Sequence, residues 1–202
     1  MFCGAHQDTQ YVDTSSGPAA VIRNLKQIWP QNTIDRSQMR VIITDREYTS
    51  VSLVLRLLNM GYYNIGTVTT SRLGFPHDLK YPFKSIPKRL ANQRGLCRLM
   101  RSIEFPKLFA CCWLDNKSVY LLASGVSTRK SSVIRKEKNG ASSTVSCPEF
   151  VASYNSYMGG VDAHDQLRLQ RYSVQRSLRV VKYYKTLFFG LFDIALVNCY
   201  IL

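Results

Sequence analysis

Acidic residues are scarce in this sequence. Only 13 Asp and Glu stand against 27 Lys and Arg, which gives a net charge of +14 at pH 7 and a pI near 9.7. That imbalance favours polyanionic partners, nucleic acid first and anionic membranes second, and carries no information about fold. The six cysteines, Cys3, Cys97, Cys111, Cys112, Cys147 and Cys199, include no C-x-x-C spacing. Their pattern argues against a zinc site or a disulfide framework and fits reduced, mostly buried thiols in an intracellular protein. The first residues lack a basic region followed by a long apolar run, so no signal peptide is read. The closing run Thr186–Leu202 nears membrane-spanning length, but Gly190, Asp193 and Asn198 interrupt it. A buried core helix is expected there rather than a span.

What is present describes a globular chain. With 202 residues, 46% of them hydrophobic and 20% charged, one domain with a real core is expected, with room for a small inserted subdomain. Both ends are apolar, Met1-Phe2-Cys3 and Cys199-Tyr200-Ile201-Leu202. Complete domains taper into polar termini, so the chain reads as a fragment of a longer protein.

The first third alternates helix and strand. Ser15-Ser16-Gly17-Pro18 signals a helix start, with Val21, Ile22, Leu25 and Ile28 on one face and Pro30 beyond its end. Arg40–Thr44 (RVIIT) is a β-branched run suited to a buried strand, and Asp45 follows it. Thr49 or Ser50 can cap a helix carrying Val51, Val54, Leu55 and Leu58, which stops at Gly61. Ile65–Thr70 is a second strand candidate. Strand, acid, helix, strand predicts a mixed or parallel sheet, and ligands bind beyond the carboxyl ends of such strands, where Asp45 stands. Asp45 fits a loop or helix-flanking role equally.

Between Ser71 and Gly140 the pattern weakens, with four prolines and fifteen Lys and Arg against four acids. Leu108–Leu114 and Val119–Ser124 read as a hairpin of a β-rich insertion, and Ser127–Ser146 as a flexible polar loop. Leu167–Lys185 carries Arg168, Arg171, Arg176, Arg179, Lys182 and Lys185, and no acid follows until Asp193. Like charges three apart on a helix repel by a few tenths of a kcal/mol per pair. Phosphate would relieve that repulsion, and a solvated basic face explains the same residues.

Tyr154–Gln166 (YNSYMGGVDAHDQ) carries the most chemistry. A helix beginning at Val161 or Asp162 puts Asp162 and Asp165 on one face near its positive end, with His164 nearby. Two ionised carboxylates suit a divalent metal, whereas Gly-Gly-Val-Asp also suits a turn followed by an N-cap.

Three segments together resemble the piggyBac family of DNA transposases: Asp45–Ser50 (DREYTS), Gly66–Pro76 (GTVTTSRLGFP) and YNSYMGGVDAHDQ with the helices behind it. The resemblance implies an α/β fold, a ribonuclease-H-like (retroviral-integrase-like) mixed sheet with flanking helices, interrupted by a β-rich insertion. The implied layout is a first part of the core over 1–70, a basic β-rich insertion with a flexible loop over 71–147, and C-terminal core helices over 148–202. In the family three aspartates bind two divalent metals and a further acid follows the third. The second aspartate falls on Asp45, the third on Asp162 and the further acid on Asp165, so these three are the expected catalytic and metal-binding residues. Magnesium or manganese is the implied cofactor, and no zinc is expected. DNA, as transposon ends, is the implied partner, met by Arg72, Lys88, Arg89, Arg168, Arg171, Arg176, Arg179 and Lys182. Full-length relatives imply a homodimer and a nuclear location, and no membrane association is expected.

Departures from the family pattern qualify the activity. By the resemblance, the first aspartate is expected to lack a counterpart here, since Asp8 and Asp13 lie past its strand, and neither the N-terminal dimerisation region nor the Cys-rich zinc module is expected within these residues. Arg46 stands where the family prefers Asn, and Thr69 where it has arginine. The expectation is a transposase-derived chain, truncated and inactive alone in metal-dependent DNA strand cleavage and transfer. The alternative is a domesticated, non-catalytic DNA-binding or interaction protein.

Overall fold

A computed structural model describes residues 17–29, 39–81, 94–137, 140–169 and 173–201. The chain divides into two compact units, Met1–Asn155 and Ser156–Leu202.

The first unit is built on a mixed sheet of five strands: β1 (Arg40–Thr44), β2 (Tyr62–Thr67), β3 (Cys97–Arg101), β4 (Leu108–Leu114) and β5 (Ser118–Ser124), in the order β1-β2-β5-β4-β3. β1 and β2 run parallel, joined by helix α2 (Val51–Asn59), and the other pairings are antiparallel. The helix between the parallel strands is the connection that parallel pairing requires, because a tight turn cannot return the chain to the same end. β2 starts at Tyr62, three residues before the expected Ile65. Gly61, at φ 86°, ends α2 in the left-handed region, and the β-prone Tyr62-Tyr63 pair enters the sheet directly.

Side-chain alternation puts apolar layers on both faces of the sheet. On β4, Leu108, Ala110, Cys112 and Leu114 join Val51 and Val54 of α2 with Phe75 and Leu79. The intervening Cys111 and Trp113 join Leu121 and Ala123 of β5 on the opposite face. There they meet Phe150, Val151 and Tyr154 of α3 (Glu149–Tyr157). Helix α1 (Gly17–Ile28) lays Ile22 and Leu25 against Leu53 and Leu57 of α2 and Tyr62, while Ile28 stays exposed.

Two expectations for the middle of the chain are overturned. The Leu108–Ser124 hairpin does not form a separate inserted sheet: β5 pairs with β2, so both strands belong to the main one. Nor is Ser127–Ser146 a loop. Most of it forms a second hairpin, β6 (Lys130–Lys136) with β7 (Ser142–Pro148). Its low apolar content hid a period-two pattern in which Val133, Val145 and Cys147 face the core under Trp113. Charge anchors it as well. Arg94 pairs with Asp115 at 2.9 Å and with Glu137, Arg135 pairs with Asp115 at 3.0 Å, and the Arg135 guanidinium lies over the Trp113 ring.

The second unit contains α4 (Gly160–Arg168), a single turn α5 (Val174–Ser177) and α6 (Tyr183–Ile201). The basic stretch is therefore not one helix, and Arg179 lies beyond the end of α5, out of helical register with Arg176. Helix α6 also corrects an expectation. Its buried residues are Gly190 and Asp193, whereas Leu187, Phe188 and Leu191 are 60%, 62% and 67% exposed. By length and composition it could cross a membrane, but it is no buried core helix in this structure. The polar interruptions are its packing face. Gly190 lets α6 approach Gln175, and the Asp193 carboxylate accepts bonds from Ser173 Oγ at 2.7 Å and from the backbone N–H groups of Val174 and Gln175 at 2.9 and 3.0 Å.

Burial pushes the Asp193 carboxyl up, but the bonds from Ser173, Gln175 and Val174 and the charge of Arg168 outweigh it, holding the group below the usual carboxylate range. A depressed folded-state pKa contributes stability above the unfolded value of about 3.9, and that stability is lost as pH falls through the folded value. Asp193→Asn is therefore expected to lower Tm at pH 7, with the gap to the native protein closing as pH falls below about 4. Thermal unfolding across pH measures it, and a gap independent of pH would contradict the assignment. In the first unit, Gly66 of β2 leaves no room for a side chain: an added Cβ would stand 2.2 Å from Thr49 Oγ1 and 2.3 Å from Thr44 Oγ1. Gly66→Ala is expected to cost about 1–3 kcal/mol or more in urea unfolding, as overpacking does. A cost near zero would mean the two threonines are not held there.

Candidate metal and nucleic-acid site

Asp45 follows the last residue of β1, at the carboxyl end of a strand in the parallel pair. What holds it is a buried relay of polar groups. The two N–H bonds of the Asn64 amide go to the Ile42 carbonyl at 2.9 Å and to Thr44 Oγ1 at 3.1 Å. Thr44 Oγ1 lies 2.8 Å from Thr49 Oγ1, which donates to the Asp45 carbonyl at 2.6 Å. A hydroxyl has one hydrogen, so Thr49 accepts from Thr44, and the bonds run in one direction from Asn64 to the backbone of Asp45. Thr44, Thr49 and Asn64 are all buried, which makes each bond costly to leave unmade. The Thr49 N–H closes the turn on the same carbonyl at 3.0 Å.

The Asp45 side chain is exposed above this relay. Its Oδ1 accepts from the N–H groups of Glu47 and Tyr48 at 3.0 and 3.3 Å, the turn-forming role of a loop aspartate. Oδ2 lies outside that turn. Ser50, rather than Thr49, caps α2 by accepting from Leu53 N at 3.2 Å. Arg46 pairs with Glu47 at 3.5 Å, so its charge is directed along the loop. Arg72, expected on DNA, donates through Nη2 to the Glu47 carbonyl at 2.8 Å and the Arg46 carbonyl at 3.5 Å, bracing the loop from the other side. Lys88 and Arg89 lie outside the described residues.

In the second unit, Asp162 sits in the first turn of α4, and Gly159 is the residue that caps the helix. The N-cap reading of Asp162 is thereby set aside. Asp162 and Asp165 are both exposed and three residues apart, hence on one face of α4. Asp165 is paired with Arg168 at 3.2 Å, and His164 Nε2 lies 3.0 Å from Asn198 Oδ1. Arg168 also donates to Gln175 Oε1 at 3.0 Å, and Arg176 to the Leu169 carbonyl at 2.7 Å. Arg179, Lys182 and Lys185 are exposed, and Arg171 lies outside the described residues. Asp45 thus belongs to one unit, and Asp162 and Asp165 to the other. Among the described residues of either unit, no three His, Cys, Asp or Glu side chains form a group that could hold a metal. The donor chemistry of the acids nevertheless suits a hard divalent cation: exposed carboxylate oxygens, one of them already oriented by backbone N–H groups.

The relay residues Thr44 and Asn64, and Gly66 packed against the relay threonines, were not anticipated from sequence. Gly66 was the available signal, because a lone glycine inside a strand marks close approach of another group.

The family described as Transposase IS4 matches residues 2–200. The human PiggyBac transposable element-derived protein 3 is 26% identical over 155 residues, covering 76% of this chain and 24% of its own length. The human Chimeric ERCC6-PGBD3 protein gives the same identity over 14% of its length. The chain thus spans about a quarter or less of the curated relatives it matches. The cryo-EM structure of a piggyBac transposase synaptic complex with hairpin DNA superposes with a TM-score of 0.62 at 23% identity, over 95% of this chain and 35% of that one, and shares its mixed α/β fold. With a match spanning residues 2–200, this chain belongs to the Transposase IS4 family and is a piggyBac-type, transposase-like protein.

Proposed function

We propose that this chain carries a piggyBac-type catalytic core of ribonuclease-H-like design, in which Asp45, Asp162 and Asp165 serve a metal-dependent reaction on DNA. The observation that supports this best is Asp45 itself: an exposed carboxylate at the carboxyl end of a strand, its backbone carbonyl fixed by buried bonds from beneath. As the resemblance implies, Asp45 in the first unit and Asp162 in the second are each proposed as ligands of Mg²⁺ or Mn²⁺, with Asp165, paired with Arg168, one helical turn further along α4. When bound, such ions activate an attacking oxygen and stabilise the leaving oxygen at a phosphodiester. The chain's own part is orientation. The Asn64–Thr44–Thr49 relay and Arg72 fix the Asp45 loop, and the first turn of α4 favours negative charge at Asp162. If an insertion interrupts this core, the β6–β7 hairpin is the element that corresponds to it. The nucleus is the compartment where such a chain would meet its DNA.

DNA is the proposed partner. Among the cations expected on DNA and the adjoining Lys185, Arg179, Lys182 and Lys185 are exposed, whereas Arg168, Arg176 and Arg72 are partly committed to protein acceptors. The exposed cations, which need no metal to meet phosphate, support a second reading, a chain that binds DNA without cutting it.

Two measurements separate the readings. For about four phosphate contacts, duplex affinity should fall roughly a hundredfold between about 50 and 200 mM salt, and a flat response would reject DNA as partner. On a transposon-end duplex with Mn²⁺, the native chain and Asp162→Ala are compared for cutting. Loss of cutting in the variant, by about a hundredfold or more, supports the metal role, as removal of a charge-stabilising group in an active site does. Equal cutting in both rejects the role given to Asp162, and steep salt dependence with no cutting by either leaves the binding reading in force.

A further inference from the structure

β3 is an edge strand of the main sheet, and Cys97 opens it. In the antiparallel register Cys97 faces Trp113 and Leu99 faces Cys111, so the two cysteines are diagonal neighbours on one face of the β3–β4 pair. Their Sγ atoms are 3.1 Å apart. Cys111 is buried, whereas Cys97 is only partly covered, which gives a small oxidant access to one thiol of the pair. Cys112 points to the apolar layer on the other face of the sheet, away from this pair.

We propose that Cys97 and Cys111 are a redox modification site, closing to a reversible disulfide on two-electron oxidation by a peroxide. The Cys97 thiolate attacks one peroxide oxygen, the O–O bond breaks, and Cys97 becomes a sulfenic acid while the second oxygen leaves as hydroxide. The Cys111 sulfur then attacks the sulfenic sulfur; the S–S bond forms, the S–O bond breaks, and the Cys111 proton leaves with the expelled oxygen as water. Two thiols are oxidised and one peroxide is reduced, with no further reactant. The order follows from the environments. Its bond from Cys111 lowers the Cys97 pKa against the opposing effect of burial, while the same contact and burial push Cys111 up, so Cys97 is the thiolate and Cys111 resolves it. Bond formation draws the sulfurs in by about 1 Å, to the usual S–S length. β3 can follow, because its residues from Arg98 to Arg101 are exposed and pack little of the core. This inference is independent of any reaction on DNA.

Treatment of the purified chain with hydrogen peroxide, alkylation of remaining thiols, digestion and tandem mass spectrometry tests it. The expected product is a cross-link between the peptides holding Cys97 and Cys111, lighter by two hydrogens and removed by dithiothreitol. Cys112→Ser should leave its yield unchanged, while Cys97→Ser should abolish it with the far-ultraviolet circular dichroism retained. Because Cys111 and Cys112 share a tryptic peptide, Cys111→Ser identifies the partner, and it too should abolish the cross-link. A cross-link that persists in Cys111→Ser, or Cys97 oxidised to sulfinic acid without cross-linking, would overturn the proposal.

Discussion

A one-way run of hydrogen bonds beneath Asp45 sets what this fold can present. Asn64 reaches across from β2, Thr44 ends β1, and Thr49 begins the approach to α2, so three consecutive elements are tied at one buried point. In a low-dielectric interior such a chain of donors is strong when complete and costly when broken. It also excludes volume, which is why β2 carries glycine at position 66. The backbone position of Asp45 is therefore set by the sheet, while its carboxylate is oriented by the loop N–H groups of Glu47 and Tyr48. Arg72 adds a second tie from the far side by holding two loop carbonyls.

The same economy appears in the second unit. A chain with so few acids spends one of them, Asp193, wholly on backbone and hydroxyl donors at the start of α5. The outcome is a helix, α6, whose buried residues are Gly190 and Asp193, while Leu187, Phe188, Leu191, Phe192 and Leu196 are exposed. Asp115 and Glu137 are spent on Arg94 and Arg135, which fasten the β6–β7 hairpin against the sheet. Arg179 and Lys182 between α5 and α6, and Lys185 in the first turn of α6, stay exposed, as do lysines and arginines of the first unit such as Lys107, Lys117, Arg129 and Lys130.

Much of this was legible in the residues. The helix signals at Gly17-Pro18 and Ser50, the RVIIT strand and the acid after it all appear where local chemistry put them. RVIIT, however, is an edge strand with Arg40 and Val41 exposed rather than the buried strand expected, because burial depends on distant partners. What was not legible depends on distant partners. The Leu108–Ser124 hairpin looks the same from within whether it stands alone or pairs with β2. The β6–β7 hairpin has too few apolar residues to declare itself, and acquires its buried face and its ion pairs from β4 and its turn. The polarity of Asp193 suggested an interruption in a core helix, when it is the point of packing. The acids named from sequence are present as exposed carboxylates on the predicted elements, and the residues that orient Asp45 came into view only through the fold.

Native-state hydrogen exchange at the Thr49 amide tests the relay most directly. That N–H bonds the Asp45 carbonyl at the end of the buried run. Its exchange is expected to be as slow as that of Val54 in the centre of α2, with opening free energies near that of global unfolding. Exchange at the rate of the neighbouring turn amides of Glu47 and Tyr48 would mean that Asp45 rides on a loose loop, and would contradict the claim that the sheet holds it.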